Sequence, residues 1–284
     1  MKMFDYVSPR SLSDACRLLS GGGEHPRILA GGTDVLVELR KSAVPSPLMI
    51  MDISRLAELK GIEESGDSII IRPLTTHAEL AQSEIIKRHA PLLYTAVSTI
   101  GSPQIRNRGT IGGNIMNAAA CADTVPPLMV LGAQLKLLSA EGERTLPMSD
   151  FFVKPYQTLA GPNELLTQIQ FPKLQAGARS AFIKLGRRNA LAIARLSVAV
   201  VLVKKSDGTI GEARIVPGAA FPQWQQVPEA EKLLIGKKSS KEIFAEAGEK
   251  VSETMISLTG RRWSTEYKEP VIAVLVRRAL EACT

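Results

Sequence analysis

The chain has 284 residues and a mass of 30.7 kDa, long for one compact core and comfortable for two. With 45% hydrophobic residues, 22% charged residues and a mean hydropathy of +0.05, it can bury a sizeable core, which excludes a disordered chain, and it lacks collagen-like or coiled-coil bias. Lysine plus arginine number 35 against 28 acids, a net charge of +7, so phosphate-bearing partners and nucleic acid are the first class to weigh.

Leu12, Ala15, Cys16 and Leu19 recur at helical spacing, Ser11 with Asp14 forms a capping-box pattern, and Gly21–Gly23 is expected to stop that helix. Arg27–Ala30 reads as a short strand ending at Gly31–Gly32, Val35–Lys41 as a helix, and PLMIMDIS (47–54) as a buried strand, together a small α/β unit. SIIIRPL (68–74) is strand-like, Thr76 with Glu79 caps a helix to about Ser83, and Pro91–Ile100 is a further helix before the glycine-rich stretch GSPQIRNRGTIGGN (101–114). Pro126–Leu131 is a short apolar helix and AQLKLLS (133–139) a strand; FF at 151–152 and ELLTQIQF (164–171) close the second unit. PKLQAG (172–177) reads as a linker. After it, SAFIKLGRR, ARLSVAVVLVKK and TIGEARIVPGA alternate like three antiparallel strands, and from about Pro228 the chain is helical.

Cys16, Cys121 and Cys283 are too few and too scattered for a disulfide framework, a zinc site or an iron–sulfur cluster. His25, His77 and His89 show no metal-ligand spacing, and no metal site is expected. The N-terminus carries an acid and a proline where a signal peptide needs an apolar run. LSVAVVLV (196–203) falls far short of the roughly 18 residues of a membrane span. The expectation is a cytoplasmic protein with no membrane span.

Two glycine segments carry chemistry. In ILAGGTDV (28–35) a strand enters Gly–Gly, then a hydroxyl and a carboxylate, so successive backbone N–H groups can point outward together and a phosphate oxygen can approach the backbone. A helix starting just after would add its positive end. TIGGN (110–114), preceded by Gly101, Ser102, Arg106 and Arg108, repeats the pattern with Thr110 and Asn114. Neither segment is a dinucleotide fingerprint or a Walker loop. Two donor clusters suit the two phosphates of one pyrophosphate; ordinary structural turns are the alternative reading.

Together, AGGTDV near residue 30 and SPQIRNRGTIGGN about 80 residues later resemble the FAD-binding (medium) subunit of molybdenum-containing hydroxylases, among them xanthine, nicotinate and carbon monoxide dehydrogenases. MDI–L–EL (51–59), DFF (150–152) and KLGRR (184–188) fall in the expected order, and the resemblance covers essentially the whole chain. It implies an α+β fold. A two-part FAD-binding region of the vanillyl-alcohol-oxidase (PCMH) type occupies 1–175, with sub-parts of about 1–55 and 56–175. A smaller C-terminal domain of the carbon monoxide dehydrogenase flavoprotein type, a three-stranded antiparallel sheet with helices, occupies 178–284.

The resemblance implies that Ile28, Leu29, Ala30, Gly31, Gly32, Thr33, Asp34 and Val35 form the first pyrophosphate loop, and Gly101, Thr110, Ile111, Gly112, Gly113 and Asn114 the second. Asp123 matches an acid that hydrogen-bonds the flavin nucleotide, with a helix N-cap as its structural alternative. Leu166 matches an apolar position touching the cofactor, and core packing is its alternative. Lys184 matches a lysine that reaches the flavin and would stabilise negative charge on the reduced ring; a solvated strand lysine is the alternative. Gln157, in the variable stretch 153–161, is a weak candidate.

No inserted cysteine-rich loop is present, since residues 36–60 contain no cysteine. The resemblance therefore implies FAD in this chain, with the molybdenum cofactor on a large partner subunit and two [2Fe–2S] clusters on a small one, in a dimer of heterotrimers. Electrons would pass through FAD to NAD+ or another acceptor, most like xanthine or nicotinate dehydrogenase, and no catalytic acid–base residue is expected here. The alternative enzyme is a stand-alone vanillyl-alcohol-oxidase-type flavin oxidoreductase. A nucleic-acid-binding module would need exposed aromatics along a basic stripe, and aromatics are 5% of the chain. The charge is also local: residues 165–206 hold eight Lys and Arg and no acid, leaving the remainder near neutral. That strip is expected to serve the cofactor and the docking of partner subunits.

Overall fold

The computed structural model describes residues 4–21, 25–41 and 49–284. Gly22–Gly23 of the expected helix stop and Pro47–Leu48 of the expected strand lie outside them.

The N-terminal unit is a parallel three-stranded sheet of β1 (Asp5–Val7), β2 (Arg27–Leu29) and β3 (Met49–Asp52), in the order β1-β3-β2. Helix α1 (Leu12–Leu19) buries Ala15, Cys16 and Leu19 against it, and α2 (Val35–Leu39) follows β2. The Ser11 hydroxyl accepts from the Asp14 amide, but the Asp14 carboxylate reaches the amide of Arg10, so only half of the expected capping box forms. A small core joins α1 to Met51, Ile53, Leu74 and Leu165.

The second unit is an antiparallel five-stranded sheet in the order β4-β5-β10-β6-β7: β4 (Ile62–Ser65), β5 (Ser68–Ile71), β6 (Gln134–Ser139), β7 (Gly142–Pro147) and β10 (Leu165–Pro172), with the hairpin β8 (Phe152–Lys154) and β9 (Gln157–Thr158) beside it. Six helices lie between β5 and β6: α3 (His77–Gln82), α4 (Glu84–His89), α5 (Pro91–Ser98), α6 (Pro103–Arg106), α7 (Ile111–Asn117) and α8 (Val125–Val130). The capping box at Thr76 and Glu79 closes in both directions. Strands β4 and β7 escaped sequence reading because their faces are solvent-exposed and polar, leaving no apolar alternation.

The C-terminal unit pairs β11 (Ala178–Leu185), β12 (Leu196–Lys204) and β13 (Ile210–Gly218) antiparallel, as the strand pattern predicts, and packs them on α9 (Pro228–Leu234), α10 (Lys241–Thr259) and α11 (Thr265–Glu281). The unbroken aliphatic run 196–203 is explained by burial on both faces. Ala199 and Val201 join the main core with Ile111 and Leu128, while Leu196, Val198, Val200 and Leu202 join the core under α10 and α11. Separating the C-terminal sheet would therefore expose one whole face of β12.

Candidate functional site

Strand β2 delivers the first glycine segment to the edge of the main body, where it meets the second. Gly31 packs so closely on the Arg108–Gly109 backbone that a Cβ there would lie 2.0 Å from the Arg108 carbonyl oxygen. A Cβ on Gly109 would stand 3.5 Å from the Thr33 hydroxyl. The two segments, almost 80 residues apart in the chain, thus share one joint. Gly32 adopts a φ of +80°, which glycine takes without strain.

Their donors differ. Among the described residues, the amides of Gly31, Gly32, Thr33, Asp34 and Val35 donate to no protein group. They form a run of five unspent N–H groups ahead of α2. In the second segment the donors are consumed: Ile111 donates to Thr75 O, Gly112 to Pro73 O, Gly113 to the Thr110 hydroxyl at 3.1 Å and Asn114 to Thr110 O. The expectation of glycine-opened free donors at 111–114 is corrected. Residues 111–114 are the first turn of α7, and the glycines are there for packing, since a Cβ on Gly112 would meet Pro73 at 2.4 Å. The Asn114 side-chain oxygen is likewise taken, accepting from Thr124 Oγ1 at 2.7 Å. Gly101, at φ +47°, starts the turn into α6, and Arg106 donates to the carbonyls of Ile100 and Gly101.

Asp123 and Lys184 meet each other. Lys184 Nζ lies 2.6 Å from Asp123 Oδ2 and donates also to Thr99 O at 3.1 Å. Lys184 is only 10% exposed, so it is not a solvated strand lysine, and the N-cap of α8 is Thr124 rather than Asp123. The pair ties the first end of the C-terminal sheet to the segment after α7. Asp123 Oδ1 is buried without a partner. Burial pushes the Asp123 carboxyl above its ordinary range, with the Lys184 ammonium pulling the other way. The same burial, with Asp123 adding to it, raises the Cys121 thiol.

His77 was missed. It is buried beneath the joint, its amide donating to Gly109 O at 3.0 Å and its Cδ2 3.2 Å from where a Gly109 Cβ would stand. Burial first, then the Arg106 charge, lowers its pKa from 6.5 to about 4, so the ring is neutral at ordinary pH. Its Nδ1 is buried without a partner. The only signal in the sequence was its place just after a helix cap. Leu166 belongs to the main buried core, and Gln157 is exposed on the β8–β9 hairpin.

Residues 2–174 match the family model described as the FAD binding domain in molybdopterin dehydrogenase, and residues 180–283 that of the CO dehydrogenase flavoprotein C-terminal domain. The chain is 33% identical to the nicotine 6-hydroxylase medium subunit of Paenarthrobacter nicotinovorans, covering 97% of this chain and 95% of that one. It is 32% identical to the carbon monoxide dehydrogenase medium chain of Hydrogenophaga pseudoflava, covering 98% and 96%. Among solved structures, a carbon monoxide dehydrogenase from H. pseudoflava superposes with a TM-score of 0.92 at 33% identity, covering 99% of this chain and 97% of that one. Quinoline 2-oxidoreductase from Pseudomonas putida gives a TM-score of 0.91 at 25% identity, covering 100% and 98%. No helix of the described residues is long and apolar enough to cross a membrane. A joint with a run of free amides, a buried clasp and these two domain matches in order make the chain a member of the FAD-binding medium-subunit family of molybdenum hydroxylases, flavin-dependent oxidoreductases.

Proposed function

We propose that this chain is the FAD-carrying electron-transfer subunit of a multi-subunit molybdenum hydroxylase, standing between the [2Fe–2S] clusters of a small partner subunit and NAD+ or another acceptor. Oxidation of the organic substrate, of the xanthine or nicotinate kind, then belongs to a large subunit carrying the molybdenum cofactor, in a dimer of heterotrimers. Bound FAD supplies reversible exchange of electrons singly or in pairs. The observation that carries the reading is the run of amides from Gly31 to Val35 that find no acceptor among the described residues, beside the close contact of Gly31 with Arg108.

Those five N–H groups suit a pyrophosphate, because backbone donors in series gather partial positive charge. The residues at 101 and 110–114 wall the site by packing rather than by donating. Asp123 keeps one oxygen free to accept a hydrogen bond from the nucleotide part of the cofactor. Lys184 acts through Asp123, holding its carboxylate in one orientation, and is a positioning residue. No group in the site is placed as a general base in this reading.

The test is a purified preparation assayed for a visible flavin spectrum and FAD stoichiometry, alone and with its large and small partner chains. One FAD per chain and reduction of that FAD only in the presence of both partners and substrate are expected. A folded, colourless preparation that takes up no FAD overturns the reading. Turnover of a substrate by the isolated chain would instead make it a stand-alone flavin oxidoreductase.

A further inference from the structure

His77 is 3% exposed and follows directly on Thr76, the N-cap of α3. The polar groups nearby are already used. Thr76 and Glu79 close the capping box on each other, and the Thr75 hydroxyl donates to Gly61 O. Gly109 O accepts the amide of His77 itself, Ile105 O accepts the amides of Arg108 and Gly109, and Arg106 Nη1 donates to Ile100 O and Gly101 O. Among the described residues neither ring nitrogen of His77 has a protein partner, and Nδ1 is wholly buried. The ring is turned toward Gly109. Where a Gly109 Cβ would stand, His77 Cδ2 lies 3.2 Å away and the Thr33 hydroxyl 3.5 Å away. The missing side chain thus leaves a gap bordered by both the imidazole and the first glycine segment. Cδ2 is bonded to Nε2, so the edge at this gap carries Nε2, and Nδ1 lies across the ring.

We propose that His77 Nε2 donates a hydrogen bond to the pyrophosphate of the cofactor across Gly109, as a side-chain ligand beside the amides of Gly31 to Val35. The inference rests on the reading that places the pyrophosphate at those amides. A neutral imidazole carries one N–H and one acceptor nitrogen. Nδ1 finds no acceptor, so the proton belongs on Nε2, at the edge where a phosphate oxygen can be received. Burial and the Arg106 charge keep the ring neutral at ordinary pH, which leaves that single N–H as its donor. A histidine that served packing alone would be an expensive choice, because an unpaired polar group inside a fold costs free energy that an apolar side chain of similar size avoids. A phosphate oxygen supplies the missing acceptor. Glycine at 109 then has a use besides the close approach of Gly31: a side chain there would close the gap between the imidazole and the first segment.

The test compares the FAD affinity of wild type, His77→Gln, His77→Asn and His77→Leu by fluorescence titration, with thermal unfolding of each FAD-free chain beside it. The Gln amide nitrogen reaches about where Nε2 stands, and the Asn amide nitrogen about where Nδ1 stands. His77→Gln should therefore bind FAD within about threefold of wild type. His77→Asn and His77→Leu should lose roughly tenfold or more, the scale of a hydrogen bond to a charged group. A second readout needs no substitution. The chain has three histidines, and in its 15N spectrum His77 should show a protonated Nε2 whose resonance moves when FAD binds. Equal FAD affinity in wild type and His77→Leu overturns the proposal, as does a loss in His77→Gln as large as that in His77→Leu, which would assign the ring to packing. An unprotonated Nε2 in the FAD-bound chain, or a resonance that FAD leaves unmoved, overturns it also. Failure of the folded wild type to take up FAD would instead overturn the placing of the cofactor at the glycine joint.

Discussion

Lys184 of strand β11 and Asp123, 61 residues earlier, form a buried ion pair at 2.6 Å that bolts the C-terminal sheet to the stretch following the second glycine segment. Removing one partner of a buried pair leaves an uncompensated charge, at a cost of about 3–5 kcal/mol. Lys184→Met is expected to lower stability by that order in urea unfolding at pH 7, and the double variant Lys184→Met/Asp123→Asn to recover most of it. Burial already raises the Asp123 carboxyl, so the folded single variant favours the protonated acid. Its deficit should therefore shrink as pH falls. A deficit that grows toward acid pH would contradict this account.

The contact of Gly31 with the Arg108 carbonyl predicts that Gly31→Ala opens the joint, because a 2.0 Å approach to a backbone oxygen has no rotamer to relieve it. More than a tenfold loss of FAD affinity is expected in fluorescence titration. Gly21→Ala, whose Cβ would make only an ordinary 3.5 Å contact, is the control and should stay within about 0.5 kcal/mol of wild type. Full FAD occupancy in Gly31→Ala would show that the joint does not shape the site.

His77 sets a pH window. Its pKa falls from 6.5 to about 4 on folding, so the native state favours the neutral ring. The stability this contributes is complete above pH 6.5 and is lost as pH falls through that interval toward 4. The loss is on the order of 3 kcal/mol at the acid end, at about 1.4 kcal/mol per pH unit. Urea midpoints measured from pH 7 to pH 4 should fall less steeply in His77→Gln than in wild type. Parallel profiles would remove His77 from the account.

Thr110 is the N-cap of α7, its hydroxyl accepting from Gly113 N. Thr110→Ala should cost about 1 kcal/mol, and Thr110→Ser should restore it. A chemical-denaturation series on the two variants checks this directly.

Much of the fold was legible because its signals are local. Caps at Ser11 and Thr76 and the strand pattern at 178–218 are set by near neighbours in the chain. Strands β4 and β7 were not legible, since a polar, solvent-facing strand owes its place to its partner strand rather than to its own pattern. The site divides the same way. The order and spacing of the two glycine segments pointed to a cofactor, but both looked like donor loops, because glycine for close approach and glycine for exposed amides are the same residue in a sequence.

The sequence by itself determined the family, the three-stranded C-terminal sheet and the uneven placement of the positive charge, all consequences of motif, periodicity and composition. Tertiary structure alone decided how those pieces are used. It left the amides of Gly31 to Val35 without an acceptor among the described residues while spending those of Ile111 to Asn114, and it set His77 beneath the joint. It also spent Lys184 of the basic strip on the buried clasp with Asp123 and stacked Arg195 of the same strip on Tyr267 of α11. The physical reason is that hydrogen-bond satisfaction and charge pairing are settled between groups tens of residues apart, and only the folded chain brings them into contact.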